Sequence, residues 1–179
     1  MALSPGDGDS GIWSGCAAVS DEGEPLLFYT SASEGDVGRA SIRVARPADP
    51  ELRTRTKGPV VASPQRPETT VFRDPVITRD ADTWRMVVGH GDAERTAGAE
   101  VFRSADLLTR DYDGLLSTRA AADEPFTGAA WECPQLVRRT HGLDTDLLVV
   151  SVWDDDPFHV AASAGTYSEG RFTRGTGSG

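Results

Sequence analysis

Short segments in which apolar residues alternate with polar ones, or run together, recur along the whole chain. Gly, Asp, Pro and Ser bound these segments, and few stretches show the 3.6-residue period of a helix. The clearest segments are Pro25 to Thr30, Ala40 to Ala45, Val71 to Thr78, Thr83 to Gly89, Ala99 to Ser104, Cys133 to Arg138, Asp146 to Trp153 and Phe158 to Ser163. Polar turn sequences such as Asp-Glu-Gly-Glu and Asp-Asp-Asp-Pro connect them and suit antiparallel hairpins. The pattern predicts an all-β protein.

An internal repeat refines this prediction. The segment from Val44 to Asp49 resembles the segment from Val101 to Asp106, and each is followed by a second apolar segment, at 57–61 and at 112–116. A fainter third copy begins at Val160. A unit of this length with about four strands fits the blade of a β-propeller, and three units fit in the chain. Chance likeness of Asp-containing turns after strands is the alternative. Propellers usually have about four to eight blades, so three blades predict an open ring.

Length and charge narrow the class of protein. The chain has 179 residues, 38% of them apolar, and we expect one domain over residues 1–179. The net charge is −10 and the basic residues are scattered, which argues against nucleic acid and anionic membrane as partners. No apolar run is long enough for a transmembrane helix, and the segment Met1 to Pro5 lacks the features of a signal peptide. We expect a cytoplasmic location for the chain as given, and leave export of a longer native product open.

Cysteines and histidines show no metal-binding spacing. Cys16 and Cys133 are far apart in sequence, and we expect both to be thiols. No Cys or second His lies three or four residues from His90, His141 or His159. The sequence therefore predicts neither a metal nor a cofactor.

Two short acidic motifs are the strongest chemical feature. They are Phe72-Arg73-Asp74-Pro75 and Trp131-Glu132-Cys133-Pro134, and alternating apolar residues flank each of them. Each carboxylate is therefore expected at the rim of a strand. Cleavage of a glycosidic bond needs a proton donor for the leaving oxygen and negative charge near the sugar ring, which such a pair supplies. The alternative for either motif is a surface ion pair or a solvated strand end.

The ordered set of motifs resembles glycoside hydrolase family 32, the invertases, levanases, inulinases and related β-fructosidases. The motifs that are similar to those of the family are Gly11-Ile12-Trp13-Ser14-Gly15-Cys16-Ala17, Pro25-Leu26-Leu27-Phe28-Tyr29-Thr30, Phe72-Arg73-Asp74-Pro75, Trp84 to Val88, Trp131-Glu132-Cys133-Pro134 and Gly165 to Phe172. They cover nearly the whole chain. The resemblance implies a five-bladed β-propeller, of which this chain would contain about three blades of antiparallel strands.

The resemblance also implies roles for site residues. Asp74 would stabilise the charge that develops on the sugar, and Glu132 would act as general acid and then base. Arg73 would hold Asp74 ionised or bind a sugar hydroxyl, while Trp13 and Ser14 would line a fructose pocket.

The environment of Glu132 is expected to change its acidity. Cys133, which we group with the substrate-binding residues, would crowd the Glu132 carboxyl together with Trp131 and raise its pKa. Trp84 and Trp153 are expected to serve packing.

The chain departs from the family at the nucleophile. The family motif W-[MI]-N-D-P-N-G carries it, and no Asn-Asp-Pro occurs in this sequence. Asp7 and Asp9 are the nearest acids, but the glycines around them (Gly6, Gly8 and Gly11) indicate a flexible loop. The chain would then begin after the first blade and stop before its last strands are complete.

We therefore expect little or no hydrolase activity from a retaining mechanism that requires that nucleophile. A non-catalytic sugar-binding propeller remnant, or an enzyme completed by a second chain, are the alternatives. Open sheet edges would favour self-association. The sequence does not distinguish among sucrose, inulin and levan as substrates, or between hydrolysis and fructosyl transfer as the reaction.

Overall fold

The computed structural model describes residues 3–139 and 144–175, and the regular structure of these residues consists of β-strands. The strands are β1 (Gly11–Val19), β2 (Pro25–Ser33), β3 (Asp36–Pro47), β4 (Arg55–Ala62), β5 (Thr69–Asp80), β6 (Thr83–Asp92), β7 (Thr96–Ser104), β8 (Asp111–Ala120), β9 (Ala130–Val137), β10 (Asp146–Asp154), β11 (Asp156–Ser168) and β12 (Arg171–Arg174). The predicted all-β class is confirmed. These residues contain no helix that could cross a lipid bilayer.

The strands form three successive groups of four, in which each strand pairs antiparallel with the next along the chain. Single bridges join the groups, Arg39 to Phe72 between the first and second and Gly91 to Ala130 between the second and third. The first strands β1, β5 and β9 lie side by side. The groups are three blades of an open propeller, with β1, β5 and β9 as the inner strands. The predicted partial propeller is confirmed.

Two apolar layers hold the blades together. Adjacent residues of β6 point to opposite faces of the blade, so that Val88 faces the first blade and Val87 faces the third. The layer between the first and second blades contains Leu26, Phe28, Ile42, Val44, Phe72, Met86, Val88 and Phe102. The layer between the second and third blades contains Val87, Ala97, Ala99, Val101, Leu116, Trp131, Leu148, Val150, Val152, Tyr167 and Phe172. The inner strands are therefore fixed relative to one another by blade packing.

The sequence repeat corresponds to the turn between the third and fourth strands of a blade. The Asp49 carboxylate accepts the backbone N–H of Thr54 at 2.6 Å, and the Asp106 carboxylate accepts that of Thr109 at 2.7 Å. Val160 lies in β11, the third strand of its blade, but that strand continues to Ser168 before it turns. The aspartate turn is therefore shared by the first two blades only.

Asp9 anchors the first described residues to the first blade. The backbone N–H groups of Gly6 and Asp9 donate to each other's carbonyl at 2.9 and 3.0 Å, and β1 begins two residues later. The predicted flexible loop is thus a hydrogen-bonded turn. The buried Asp9 carboxylate lies 2.9 Å from Arg43 Nη1 and 2.8 Å from Lys57 Nζ, and it also accepts hydrogen bonds from Ser31 and Tyr29.

These contacts change the acidity of Asp9. Burial by itself would raise the pKa of the carboxyl, but the hydrogen bonds from Lys57, Ser31, Arg43 and Tyr29 outweigh burial and lower the pKa to about 2. A depressed pKa stabilises the fold above the unfolded value of 3.8, and this contribution is lost as the pH falls towards 2.

Asp9→Asn is expected to lower the free energy of unfolding by about 2 kcal/mol at pH 7, because the amide cannot neutralise the two buried cations. The difference from the unchanged protein should shrink below pH 4 and vanish only below pH 2. Urea unfolding at several pH values measures this. Asp7→Asn is the matched control, since Asp7 is exposed, and it should unfold like the parent. Equal stability of Asp9→Asn and parent at pH 7 would contradict the anchoring role.

Candidate active site

Each inner strand has an irregularity at the same level of the propeller. Ser14 is an extra residue in β1, while Asp74-Pro75 opposes the single residue Val88 and Cys133-Pro134 opposes Val150. Such β-bulges bend a strand and redirect its side chains. Proline fits there because a bulge leaves a backbone position without a ladder hydrogen bond.

Asp74 and Cys133 share an uncommon backbone conformation. Their φ angles are 61° and 46°, in the left-handed region that few residues other than glycine adopt. The two sequence motifs therefore have the same local shape, with Arg73 and Glu132 as the residues just before the left-handed position. Strained backbone of this kind clusters at functional sites.

A chain of hydrogen bonds joins the three bulges. The Cys133 backbone N–H donates to Asp74 Oδ2 at 3.2 Å, and Cys133 Sγ lies 3.5 Å from the same oxygen. The Asp74 backbone N–H donates to Thr30 Oγ1 at 2.7 Å, and the Thr30 hydroxyl donates to the Ser14 carbonyl at 2.9 Å. Thr30 is fully buried. Sequence reasoning missed it as a site residue, although it ends the motif Phe28-Tyr29-Thr30.

Asp74 and Cys133 both have a raised pKa. Asp74 is 6% exposed, and its burial raises the pKa of the carboxyl, against the hydrogen bonds from Cys133 and the charge of Arg73. Cys133 is exposed, but partial loss of water around its thiol, followed by the negative charge of Asp74, raises the pKa of Cys133 to about 11, with a hydrogen bond from Ser14 acting in the opposite direction. Cys133 is therefore a protonated thiol at neutral pH, able to donate to Asp74. As predicted, both cysteines are free thiols.

Glu132 and Arg73 form an ion pair across the second and third blades. Arg73 Nε lies 3.0 Å from Glu132 Oε1, and the two side chains are 15% and 20% exposed. Burial raises the pKa of Glu132, with the Arg73 charge lowering it and the Asp74 charge raising it further. The predicted direction is confirmed. Trp131, one of its two predicted causes, belongs to the core between these blades, where its Nε1 donates to the Thr127 carbonyl at 3.0 Å.

Two indoles contact the Arg73 guanidinium. Its central carbon lies 5.3 Å from the centre of the Trp13 ring and 5.6 Å from the centre of the Trp153 ring. Trp13 was predicted at the site, whereas Trp153 was assigned to packing alone. Trp153 comes two residues after Ser151, which pairs with Glu132. That pairing, invisible in the sequence, brings Trp153 to the site.

A groove of about 470 Å³ runs along the inner strands. It is lined by residues 14–16 of β1, 74–76 of β5 and 133–137 of β9. Ser14, Asp74 and Cys133 line this groove. Trp13, Arg73 and Glu132 precede these three residues in the chain and contact one another through the Arg73 side chain. The structure therefore brings all six predicted site residues together.

Residues 3–139 and 144–175 contain no cluster of three or more His, Cys, Asp or Glu side chains able to hold a metal ion. His90 Nδ1 instead lies 3.0 Å from Glu100 Oε1 in the interior, and His141 falls outside the described residues.

The sequence of the chain matches the model of the glycosyl hydrolases family 32 N-terminal domain over residues 1–176. The chain belongs to glycosyl hydrolase family 32. It is 35% identical over 156 residues to a rice (Oryza sativa subsp. indica) beta-fructofuranosidase, insoluble isoenzyme 2. This match covers 78% of this chain and 25% of the rice protein. It is 34% identical over 142 residues to an Escherichia coli sucrose-6-phosphate hydrolase, with 75% and 28% covered.

A solved structure supports the fold of this family 32 chain. A mutant of the Bombyx mori GH32 beta-fructofuranosidase in complex with sucrose superposes with a TM-score of 0.80 at 21% identity, covering 98% of this chain and 38% of the other. The family 32 chain thus spans about a quarter of the length of the curated relatives it matches. The resemblance predicted from the ordered motifs is confirmed.

Proposed function

We propose that this chain carries the acid/base part of a β-fructoside hydrolase site, with a retaining two-carboxylate mechanism. The observation that supports it most is the placement of Glu132, a half-buried acid with a raised pKa, between Arg73 and the buried Asp74. The rice relative is named a beta-fructofuranosidase, and the Bombyx mori neighbour contains sucrose. A fructose-containing saccharide is therefore the proposed ligand.

Glu132 has two tasks in this proposal. Its raised pKa keeps a proton on the carboxyl for donation to the leaving glycosidic oxygen, and its carboxylate then takes a proton from the attacking water. Arg73, 3.0 Å away, stabilises the carboxylate that forms. The pair can therefore act as acid and then as base.

Asp74 supplies negative charge beside the sugar ring, where an oxocarbenium-like transition state develops positive charge. The N–H and S–H of Cys133 favour its charged form. Ser14 adds a hydroxyl at the groove, and Trp13 adds an apolar face next to Arg73.

The nucleophile is the part that these residues do not supply. The buried Asp9 carboxylate is paired with Arg43 and Lys57, and this structural role leaves it unsuited to act as the nucleophile. No Asn-Asp-Pro occurs in the sequence. We therefore propose that this chain alone has little or no turnover, because a retaining mechanism needs that group.

Asp74→Asn is expected to weaken sucrose or fructose binding about ten-fold or more, because the ligand hydroxyls lose a hydrogen bond to a charged group. Asparagine tolerates the left-handed backbone, so the bulge should persist. Ligand-detected NMR titration measures the affinity, with the exposed Asp111→Asn as control. Absence of any fructoside binding by the parent chain, or equal binding by Asp74→Asn, would overturn the proposal.

We also propose self-association through the outer strands of the blades, which have a free edge. Among the described strands, β4 pairs only with β3 and β8 only with β7, and Val60 on β4 is 50% exposed. Sedimentation velocity over a range of protein concentrations tests this, and a single monomeric species throughout would argue against it.

A further inference from the structure

The geometry points to Trp153 as a positioning residue: we propose that its indole holds the Arg73 guanidinium against Glu132. The inference rests on the proposed function of Glu132 and Arg73. Trp153 itself belongs to the second strand of the third blade and to none of the sequence motifs.

Arg73 needs more than its ion pair to stay in place. Arginine has a long side chain with many rotamers, and a partly exposed ion pair contributes little to fixing one of them. The Trp13 and Trp153 rings lie 5.3 and 5.6 Å from the guanidinium, within the range of about 6 Å for a cation–π contact. Two aromatic contacts in addition to the carboxylate restrict the guanidinium far more than any one of them does.

The strand geometry explains how Trp153 reaches the site. In β10, Ser151 pairs with Glu132 and Trp153 pairs with Ala130. On the other side of β10 the pairing with β11 is irregular between Val152 and Trp153. The extra residue of this bulge is Phe158 in β11, so β10 keeps its regular alternation and Trp153 shares the face of Ser151 and of its partner Glu132. The third blade therefore supplies both the acid and one aromatic contact for an arginine of the second blade.

The separation of Arg73 and Glu132 sets the proton affinity of the acid. The charged and titratable groups that act on Glu132 are Arg73 and Asp74, and the Cys133 thiol is its neighbour. The Arg73 charge lowers the pKa of Glu132, so an arginine that moves away leaves the acid with a higher pKa. Loss of the Trp153 contact should therefore raise the pH at which Glu132 titrates.

The chain offers a matched control for this contact. The Arg79 guanidinium lies 4.5 Å from the centre of the Trp84 ring, and Arg79 is paired with Asp21. This arginine–tryptophan contact is of the same kind but involves no residue of the site. Trp84→Leu removes a cation–π contact without touching Arg73.

NMR spectroscopy tests the proposal without any catalytic turnover. In Trp153→Leu and Trp153→Met, the Arg73 Nε–H is expected to lose the part of its ring-current shift that Trp153 contributes, and to exchange with water about three- to ten-fold faster. The Glu132 carboxyl should titrate at higher pH in both. Trp153→Phe should restore most of both properties, and Trp84→Leu should change neither.

Retention of the Arg73 exchange rate and the Glu132 titration in a folded Trp153→Leu or Trp153→Met protein would overturn the positioning role. An equal effect of Trp84→Leu would also overturn it, because the change would then reflect general loosening. If Trp153→Leu and Trp153→Met both fail to fold, Trp153→Phe decides the question. Parent-like Arg73 exchange and Glu132 titration in Trp153→Phe support an aromatic contact, whereas faster Arg73 exchange in that variant contradicts it. If the parent chain binds no sugar in the Asp74→Asn experiment, the proposed function fails, but the NMR result on the contact between Trp153 and Arg73 still stands.

Discussion

Replacing Glu132 by glutamine is expected to lower azide-supported cleavage of sucrose by about 100- to 10,000-fold, the usual effect of losing a general acid. Azide serves as the nucleophile that the described site does not supply. In the proposed mechanism azide attacks the anomeric carbon of the fructosyl group, the glycosidic C–O bond breaks to give fructosyl azide and glucose, and Glu132 gives its proton to the departing glucose oxygen. Glutamine has no proton to give, so glucose remains an alkoxide-like, poor leaving group.

The pH dependence of this rate has a defined direction. Burial raises the pKa of Glu132, so the proton needed for donation stays on the acid to a higher pH than on a free glutamate. The azide-supported rate should fall as the pH rises through that pKa, and this limb should be missing in Glu132→Gln. Glu34→Gln, at an exposed turn, is the matched control and should keep the parent rate and profile. A Glu132→Gln protein with parent-like rates would exclude Glu132 as the acid.

Gly89→Ala is expected to cost about 3 kcal/mol of stability and to separate Arg73 from Glu132. A Cβ at this position of β6 would lie 2.3 Å from the Trp131 carbonyl oxygen, 3.1 Å from the Arg73 carbonyl oxygen and 3.2 Å from Glu132 Cα. All three are backbone atoms, which cannot rotate away. The second and third blades must therefore move apart at the level of the site.

Thermal unfolding measures the first effect and the Glu132 titration measures the second. A loss of about 3 kcal/mol corresponds to a Tm lower by roughly 6 to 12 °C for a chain of this size. Gly175→Ala is the control, because its Cβ would meet only the Ala164 carbonyl oxygen, at an ordinary 3.5 Å. A Gly89→Ala protein with the parent Tm would show that the blades are not packed as closely as described.

The amino-acid pattern located the strands with buried residues better than those at the edges. All eight segments read from the sequence lie in or substantially within strands, because burial on alternate positions produces a visible period. The outer strands β4 and β8 were visible only as the second apolar segments of the repeat, at 57–61 and 112–116, since they have few buried positions and β4 contains Gly58 and Pro59. The inner strand β1 was also missed, since few of its residues are buried.

The site was predictable where it follows motifs on the inner strands, and unpredictable where it depends on a neighbouring strand. Asp74 and Glu132 follow from the motifs. Thr30 and Trp153 lie on second strands of their blades, so that only the register of β2 and β10 shows that they reach the site. The pairing of Arg73 with Glu132 likewise depends on the approach of two blades, which no local spacing encodes.

The central claim is that the chain holds the acid and the sugar-stabilising aspartate but not the nucleophile. The most direct test is the rate of glucose release from sucrose by the purified chain, with and without sodium azide, beside Glu132→Gln. The account predicts no rate above that of Glu132→Gln without azide, and an azide-dependent rate that requires Glu132. Glucose release that needs Glu132 but no azide would contradict it.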